Sequence, residues 1–202
     1  SSITPLLDES AAPADLSRAT TAIFYSISNT QTGLRGVSFG DSLIKHVVET
    51  LSAEFPRLRT FATLSPIPGF RAWFGKHCAG MLEAMDDKRR TELGRAIGAE
   101  APQAAQVIAA AEKALELPVK SPLRQWLLHC AARYLGRELQ DGRPVDAVAR
   151  FHLGNGARVE RLNWAGDPSS KGQKQSFGLM VNYLYDLKRI DKHRSLLAQG
   201  KV

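Results

Sequence analysis

The sequence is poor in the features that mark several large protein classes. It has only two cysteines, Cys78 and Cys130, in neither a CxxC pair nor a cysteine–histidine metal spacing. No run of about 18 apolar residues is present, so no membrane span is predicted. The N-terminal "SSITPLLDES" lacks the basic and apolar regions of a signal peptide, and the five histidines form no HExxH pattern. We therefore expect no metal centre and no disulfide framework, and two buried free thiols in a reducing compartment.

Charge of one sign is in modest excess. The chain has 27 basic and 20 acidic residues, giving a net charge of +7, which favours polyanionic partners. The densest basic runs, Asp86–Arg90 and Asp186–Arg194, are mixed with acidic residues, which is typical of solvated helix faces. We therefore predict no nucleic-acid partner and no membrane partner. An apolar fraction of 44% in 202 residues is typical of one globular domain, predicted over residues 1–202.

Hydrophobic patterns predict an alternation of strands and helices. Strands are predicted at Ala19–Ser28, Arg57–Ser65 and Ala157–Asp167. Helices are predicted at Asp41–Phe55, from Pro68 to about His77, at Arg143–Leu153, and in the last part of the chain, including Asn182 and Tyr183. Asn155 is predicted to end the Arg143–Leu153 helix in left-handed geometry. Residues from about 78 to 142 are rich in Ala, Leu, Glu and Arg, and we expect them to form a helical insertion.

The stretch "LSPIPGF", residues 64–70, predicts a fixed hydroxyl group. Both prolines have a fixed φ and no amide hydrogen, and the residue before a proline favours extended geometry. Ser65 should therefore end a strand with its side chain held still. A fixed hydroxyl can select one conformer of a bound substrate. The alternative is a serine that caps the following helix or stabilises a turn.

The loop "RGVSFG", Arg35 to Gly40, stands between a predicted strand and a predicted helix. Free amide groups at a helix start attract phosphate, and glycine allows close approach. Neither a P-loop nor a GxGxxG pattern is present, and Asp41 would repel phosphate unless it is turned away. Phosphate binding and an ordinary strand-to-helix turn both remain open on this pattern.

Two segments resemble the GNAT-type acetyltransferases. Arg35–Gly40 is similar to their acyl-CoA loop, [QR]-x-x-G-x-[GA], except that Ser38 replaces the usual middle glycine. "VARFHLGNGA" resembles their late helix, in which a tyrosine protonates the departing thiolate; Phe151 and Gly156 keep this frame, and His152 takes the place of the tyrosine. Histidine can give or take a proton near neutral pH. The alternative is a histidine that only packs at a helix end.

A closer resemblance covers most of residues 20–76 and 143–188. "LSPIPGF", "FHLGNGA" and "GLMVNY" together resemble the malonyl-CoA decarboxylase family. The resemblance implies an α/β (α+β) fold with a GNAT-like, acyl-CoA-binding mixed sheet flanked by helices. It implies decarboxylation of malonyl-CoA to acetyl-CoA and CO2, with Ser65 and His152 as catalytic residues. The segment that it assigns to substrate binding consists of Arg35, Gly36, Val37, Ser38, Phe39, Gly40 and Asp41.

The same resemblance sets expectations about cofactors and partners. It implies no metal and no organic cofactor, an N-terminal helical domain that this chain lacks, and a homo-oligomer. The C-terminal "AQGKV" lacks a peroxisomal SKL-type signal and no mitochondrial presequence is visible, so a bacterial cytoplasmic enzyme is expected.

Both side chains are suited to steps of the decarboxylation, but their residue types do not decide which side chain performs which step. Ser65 is suited to holding the substrate carboxylate out of the thioester plane, and to relaying a proton. His152 is suited to protonating the product carbon, or to keeping the carboxylate charged. Two alternative functions remain: an acyltransferase on the same fold, and a non-enzymatic CoA-binding module.

Overall fold

The structure, a computed structural model, describes residues 15–25 and 40–201. Within them the main sheet is formed by four strands: β1 (Thr21–Tyr25), β2 (Thr60–Pro66), β5 (Arg158–Asn163) and β6 (Met180–Tyr185). A small second sheet pairs β3 (Leu139–Gln140) with β4 (Arg143–Pro144). The helices are α1 (Gly40–Glu54), α2 (Phe70–Glu83), α3 (Asp87–Ile97), α4 (Ala104–Ala111), α5 (Pro122–Arg137), α6 (Ala147–Gly154), α7 (Ser170–Ser176) and α8 (Ile190–Ala198). Short 3₁₀ turns lie at Leu16–Arg18 and Ala114–Glu116.

The main sheet is mixed, with the strand order β1-β2-β6-β5. β1 and β2 are parallel, and the crossover between them contains α1. β2 pairs antiparallel with β6, and β6 pairs antiparallel with β5. This arrangement confirms the predicted α/β class with a mixed sheet flanked by helices.

The two central strands direct one set of polar side chains to a single face. Side chains alternate along a strand, so Thr63 and Ser65 of β2 point to the same side. Ser65 pairs with Val181 of β6, which places Tyr183 and Tyr185 on that side as well. The helices that cover this face therefore meet a row of hydroxyl groups as well as apolar residues.

The helical region between α2 and α6 shares the hydrophobic core of the sheet. Leu93 of α3, Val107 of α4 and Leu127 of α5 belong to the same buried cluster as Val181 and Tyr183 of β6. The predicted start of a helical insertion at about residue 78 falls inside α2, which runs from Phe70 to Glu83 rather than ending near His77. The cluster explains why these helices stay packed, because each buries apolar side chains against the others and the sheet.

The prediction that the last part of the chain forms only a loop and helices is wrong. Met180–Tyr185 is the strand β6, and Asn182 and Tyr183 lie in it. Its sequence, MVNYLY, is rich in strand-forming residues, and none of its side chains is fully exposed. A strand that is covered on both faces lacks the polar–apolar alternation of a half-exposed strand, so its pattern did not indicate a strand.

The prediction for Arg143–Leu153 is wrong at its beginning. Arg143–Pro144 is the strand β4, and helix α6 begins at Ala147 because the Asp146 side chain caps it. Asn155 is not left-handed, since its φ and ψ are −87° and 13°. Gly156 takes that conformation instead, with a φ of 80°.

Both cysteines are buried and free, as predicted. Burial raises the pKa of Cys78 to about 11 and that of Cys130 to about 12. The two thiols therefore stay protonated and act as apolar packing groups.

Candidate active site

Ser65 and His152 lie side by side, although 87 positions separate them in the sequence. The Ser65 Oγ is 3.2 Å from the His152 Nε2, within hydrogen-bond distance. Ser65 is 5% exposed and His152 is 3% exposed. Burying two polar side chains costs free energy unless each of them forms a hydrogen bond. Both Ser65 and His152 do so.

Ser65 is fixed by its position at the end of β2. Pro66 closes the strand by pairing with Met180, and α2 begins four residues later at Phe70. The Ser65 hydroxyl donates a hydrogen bond to the Thr63 Oγ1 at 2.8 Å. The Thr63 Oγ1 also accepts the Tyr183 amide at 3.2 Å, so it is held in turn by the neighbouring strand. These contacts orient the hydroxyl group as the two prolines predict.

His152 is held on three sides in α6. Its Nδ1 lies 2.8 Å from the Tyr185 Oη, and its Nε2 faces Ser65. Its ring stacks on the Tyr183 ring, with centroids 4.5 Å apart and planes inclined by 25°. Burial lowers the pKa of His152 to about 4, since the charged imidazolium loses its hydration. The imidazole is therefore neutral at pH 7, and its contacts leave a single defined orientation.

Asp146 anchors the helix that carries His152. Its Oδ1 accepts the amides of Val148 and Ala149 at 3.0 and 2.9 Å, which caps the start of α6. Its Oδ2 accepts the Tyr134 hydroxyl at 3.4 Å, and the Gly69 backbone lies close enough to the carboxylate to oppose the rise of its pKa. Asp146 is 2% exposed, and desolvation raises the pKa of its carboxyl group although these donors oppose that rise.

The Gly69 contact ties the turn after Ser65 to helix α6. A Cβ at Gly69 would lie 2.2 Å from the Tyr134 Oη and 3.8 Å from the Asp146 Oδ2. Only glycine lets the backbone come this close. Asp146 therefore caps the helix of His152 and lies against the turn that follows Ser65, so it is placed between the two elements.

Sequence comparison assigns the domain. A sequence profile described as "Malonyl-CoA decarboxylase C-terminal domain" matches residues 1–202. The chain belongs to this family. The rat protein named "Malonyl-CoA decarboxylase, mitochondrial" is 41% identical over 178 residues, which is 84% of this chain and 36% of the rat protein.

Solved structures support membership of the malonyl-CoA decarboxylase family. The structure titled malonyl-CoA decarboxylase from Cupriavidus metallidurans has a TM-score of 0.80 and 46% identity, covering 90% of this chain and 46% of its own. The one from Agrobacterium vitis has a TM-score of 0.79 and 44% identity, covering 100% and 47%. The chain thus spans less than half the length of these relatives. The solved relatives are bacterial, whereas the rat relative is named mitochondrial.

Most of the segment expected to bind malonyl-CoA lies outside the described residues. This applies to Arg35, Gly36, Val37, Ser38 and Phe39. Gly40 and Asp41 are the first residues of α1. Residues 15–25 and 40–201 hold no group of three or more His, Cys, Asp or Glu side chains placed for a metal ion, and no helix there is long and apolar enough to cross a membrane.

The sequence patterns missed several residues around the two predicted side chains of the malonyl-CoA decarboxylase domain. Thr63 could have been found from the strand period, because it lies two residues before Ser65 in a predicted strand. Tyr185 could not, because its segment was predicted to be helical. Asp146 could have been found as a helix cap before "AVARF". Its link to Tyr134 joins two helices, and no local pattern reveals it.

A second polar network lies on the other face of the same strands. The Asn182 Nδ2 donates to the Thr63 carbonyl at 2.6 Å, and the Asn163 Nδ2 donates to the Asn182 Oδ1 at 2.8 Å. The Arg161 Nε donates to the Asn163 Oδ1 at 3.0 Å. This network holds the backbone of Thr63 from the side opposite to Ser65.

The lowered pKa of His152 predicts a specific dependence of stability on pH. Between about pH 6.5 and pH 4 the unfolded chain binds a proton at His152 that the folded chain does not, so stability falls as pH falls. We expect His152 to remove about 3 kcal/mol of unfolding free energy between pH 7 and pH 4. Urea unfolding of the parent and of His152→Gln at several pH values measures this.

The difference between the two proteins isolates His152 in this experiment. Asp146 acts in the opposite direction, because its raised pKa makes the folded state bind the extra proton as pH falls. Asp146 is present in both proteins and cancels in the comparison. An equal loss of stability in parent and variant would show that His152 is not the buried neutral base described above.

Proposed function

We propose that this chain carries the catalytic centre for decarboxylation of malonyl-CoA to acetyl-CoA and CO2. The observation that carries the proposal is the 3.2 Å contact between the Ser65 Oγ and the His152 Nε2, built into a domain of the malonyl-CoA decarboxylase family. The relatives named for this activity are longer than the chain, so the activity is assigned here from the site.

The proposed reaction breaks one carbon–carbon bond. The bond between the malonyl carboxylate and the α-carbon breaks, and its electron pair moves into the thioester carbonyl, giving an enolate and CO2. The α-carbon then takes one proton and becomes the methyl group of acetyl-CoA. Since the thioester itself accepts the electron pair, the proposed step uses neither a metal nor an organic cofactor.

Ser65 is proposed as the group that touches the substrate. Both nitrogens of His152 are engaged, one by Ser65 and the other by Tyr185, and one ring face lies on Tyr183. A proton from His152 therefore reaches the substrate through Ser65. The fixed hydroxyl also favours the conformer whose breaking bond overlaps the carbonyl.

The proposed direction of proton transfer follows from one assignment of these hydrogen bonds. In the proposed arrangement Ser65 donates to Thr63, Nε2 carries the hydrogen that lies between His152 and Ser65, and Nδ1 accepts from the Tyr185 hydroxyl. In the proposed step the Ser65 proton turns from Thr63 to the α-carbon and is replaced from Nε2. The Tyr185 hydroxyl gives its proton to Nδ1, so the imidazole stays neutral. Solvent returns a proton to Tyr185 after the product leaves.

Binding of the CoA portion is proposed for Arg35–Asp41. Gly40 begins a helix of 15 residues, and the free amides at such a helix start favour phosphate groups. The side chain of Arg35 would add a positive charge. An N-terminal helical domain and a homo-oligomer are proposed from the family resemblance, and the cytoplasmic location expected from the sequence is likewise a proposal.

The test is a product assay in D2O, with acetyl-CoA resolved by mass. We expect the chain to convert malonyl-CoA to acetyl-CoA that carries one deuterium at early times. Ser65→Ala should reduce the rate at least about 100-fold, as expected for loss of an acid–base group. Ser52→Ala, a matched change in α1, should keep the parent rate.

Three outcomes would overturn the proposal. A chain that binds CoA but makes no acetyl-CoA would indicate a binding module. Transfer of the acetyl group from acetyl-CoA to an amine, without decarboxylation, would indicate an acyltransferase. A folded Ser65→Ala variant at the parent rate would remove Ser65 from the mechanism.

A further inference from the structure

A half-open cavity of about 780 Å³ lies between α5, the beginning of β5 and α8. Four basic side chains line it: Arg133, Arg137, Arg158 and Lys201. Glu138 is the one carboxylate among its described lining residues. Neither Ser65 nor His152 lines this cavity, so it is separate from the candidate active site.

Two of these positive charges have no carboxylate partner in the described part of the chain. Arg133 pairs with Glu138 at 3.0 Å, and Arg158 pairs with Glu160 at 2.9 Å. The Arg137 side chain makes no hydrogen bond or ion pair within residues 15–25 and 40–201. The Lys201 Nζ donates to the neutral Gln199 Oε1 at 3.2 Å. The cavity therefore keeps positive charge that an anion could neutralise.

The remaining walls are apolar. Leu153, Ala157, Val159, Leu196 and Leu197 contribute side chains to them. Ligand cavities commonly have volumes of about 300–1,000 Å³ and combine apolar walls with a few charged groups. The guanidinium fork of arginine matches phosphate oxygens, and lysine adds a point charge.

We propose that this cavity binds a small organic anion of nucleotide size, with phosphate groups held by Arg137 and Lys201 and an apolar body against the leucines. The proposal goes beyond the decarboxylation of malonyl-CoA, and it does not depend on it. Size and unpaired charge favour this ligand class over an uncharged one, because an uncharged ligand would leave both cations unneutralised.

The cavity touches the helix end that carries His152. Leu153 follows His152 in the chain, and the Ala157 amide donates to the His152 carbonyl at 3.0 Å. The His193 Nδ1 lies 3.0 Å from the Gly156 carbonyl, which joins α8 to the same turn. A bound anion would therefore contact residues that adjoin His152 in the chain or are hydrogen-bonded to its backbone.

The test measures binding of ADP to the chain by calorimetry at low salt. We expect a dissociation constant below about 1 mM, and Arg137→Gln/Lys201→Gln should weaken binding at least about tenfold. The control Arg143→Gln/Lys174→Gln removes the same charge from exposed positions outside the cavity and should change binding less than about twofold. Both double variants should keep the parent rate with malonyl-CoA, if the chain turns it over.

The outcomes that would overturn the site are distinct from failure of decarboxylation, since binding needs no turnover. No ADP binding up to about 10 mM would overturn it. Equal weakening in both double variants would show attraction by net charge alone. Undiminished binding in the cavity variant, abolished by excess CoA, would place ADP at the CoA site instead.

Discussion

His152→Ala is expected to lower the rate of acetyl-CoA formation at least about 100-fold, because in the proposed step the proton that Ser65 delivers is replaced from Nε2. The measurement is the initial rate with malonyl-CoA at saturating concentration. His46→Ala, which removes an exposed imidazole from α1, is the matched control and should keep the parent rate. Circular dichroism and urea unfolding of each variant separate loss of chemistry from loss of fold.

A pH profile distinguishes a neutral histidine from a charged one. Because burial lowers the pKa of His152 to about 4, the parent rate should show no inflection from this group between pH 5.5 and 8. If the rate instead rises or falls tenfold per pH unit around pH 6.5, and His152→Gln abolishes that change, His152 acts in a charged form and the proposed direction of proton transfer is incorrect.

Asp146→Ala should have the largest effect on stability, with a loss of about 3 kcal/mol. Loss of a helix cap costs about 1–2 kcal/mol, and donors left unpaired in the core cost about 1–3 kcal/mol more. Asp86→Ala is the matched control, because Asp86 caps α3 at an exposed position and accepts the Arg89 amide. It should lose only about 1 kcal/mol in the same urea titration.

Asp146 should also affect the reaction, as a positioning residue. It caps the start of α6 and lies against the turn after Ser65, so Asp146→Ala should lower kcat more than it raises KM. Asp146→Asn keeps an oxygen for the helix cap and should recover part of the stability. Unchanged kcat in a folded Asp146→Ala variant would show that α6 keeps His152 in place without this carboxylate.

Local sequence patterns were sufficient to predict the helices and strands that have one polar and one apolar face. β1, α1 and β2 were predicted within a few residues, because one side of each is polar or their ends carry turn residues. β6 was missed because both of its faces are covered, so its apolar run resembles part of a buried helix. Its place between β2 and β5 depends on pairing with distant segments.

Some features of the candidate site could likewise be predicted from local sequence, and others depend on the fold. The rigidity of Ser65 follows from two neighbouring prolines, a local property of the backbone. The role proposed for His152 came from a family resemblance, and its neutral state depends on burial under Tyr183 and beside Tyr185. The clamp at Asp146 needs Tyr134 and Gly69, from two other parts of the chain, and only the fold brings these groups together.

The pairing of β2 with β6 has a consequence for the order of events in folding. The contact between Thr63 and Tyr183 joins residues 120 positions apart, and the helices α2 to α7 lie between them. Closing so long a loop costs more entropy than forming a helix, unless the intervening segment is already compact. The helices should therefore gather first and the central strands pair late. Tyr183 and Tyr185 of β6 hold the His152 ring, so the candidate site is complete only after that step. An intermediate that forms earlier should be largely helical and lack the assembled site.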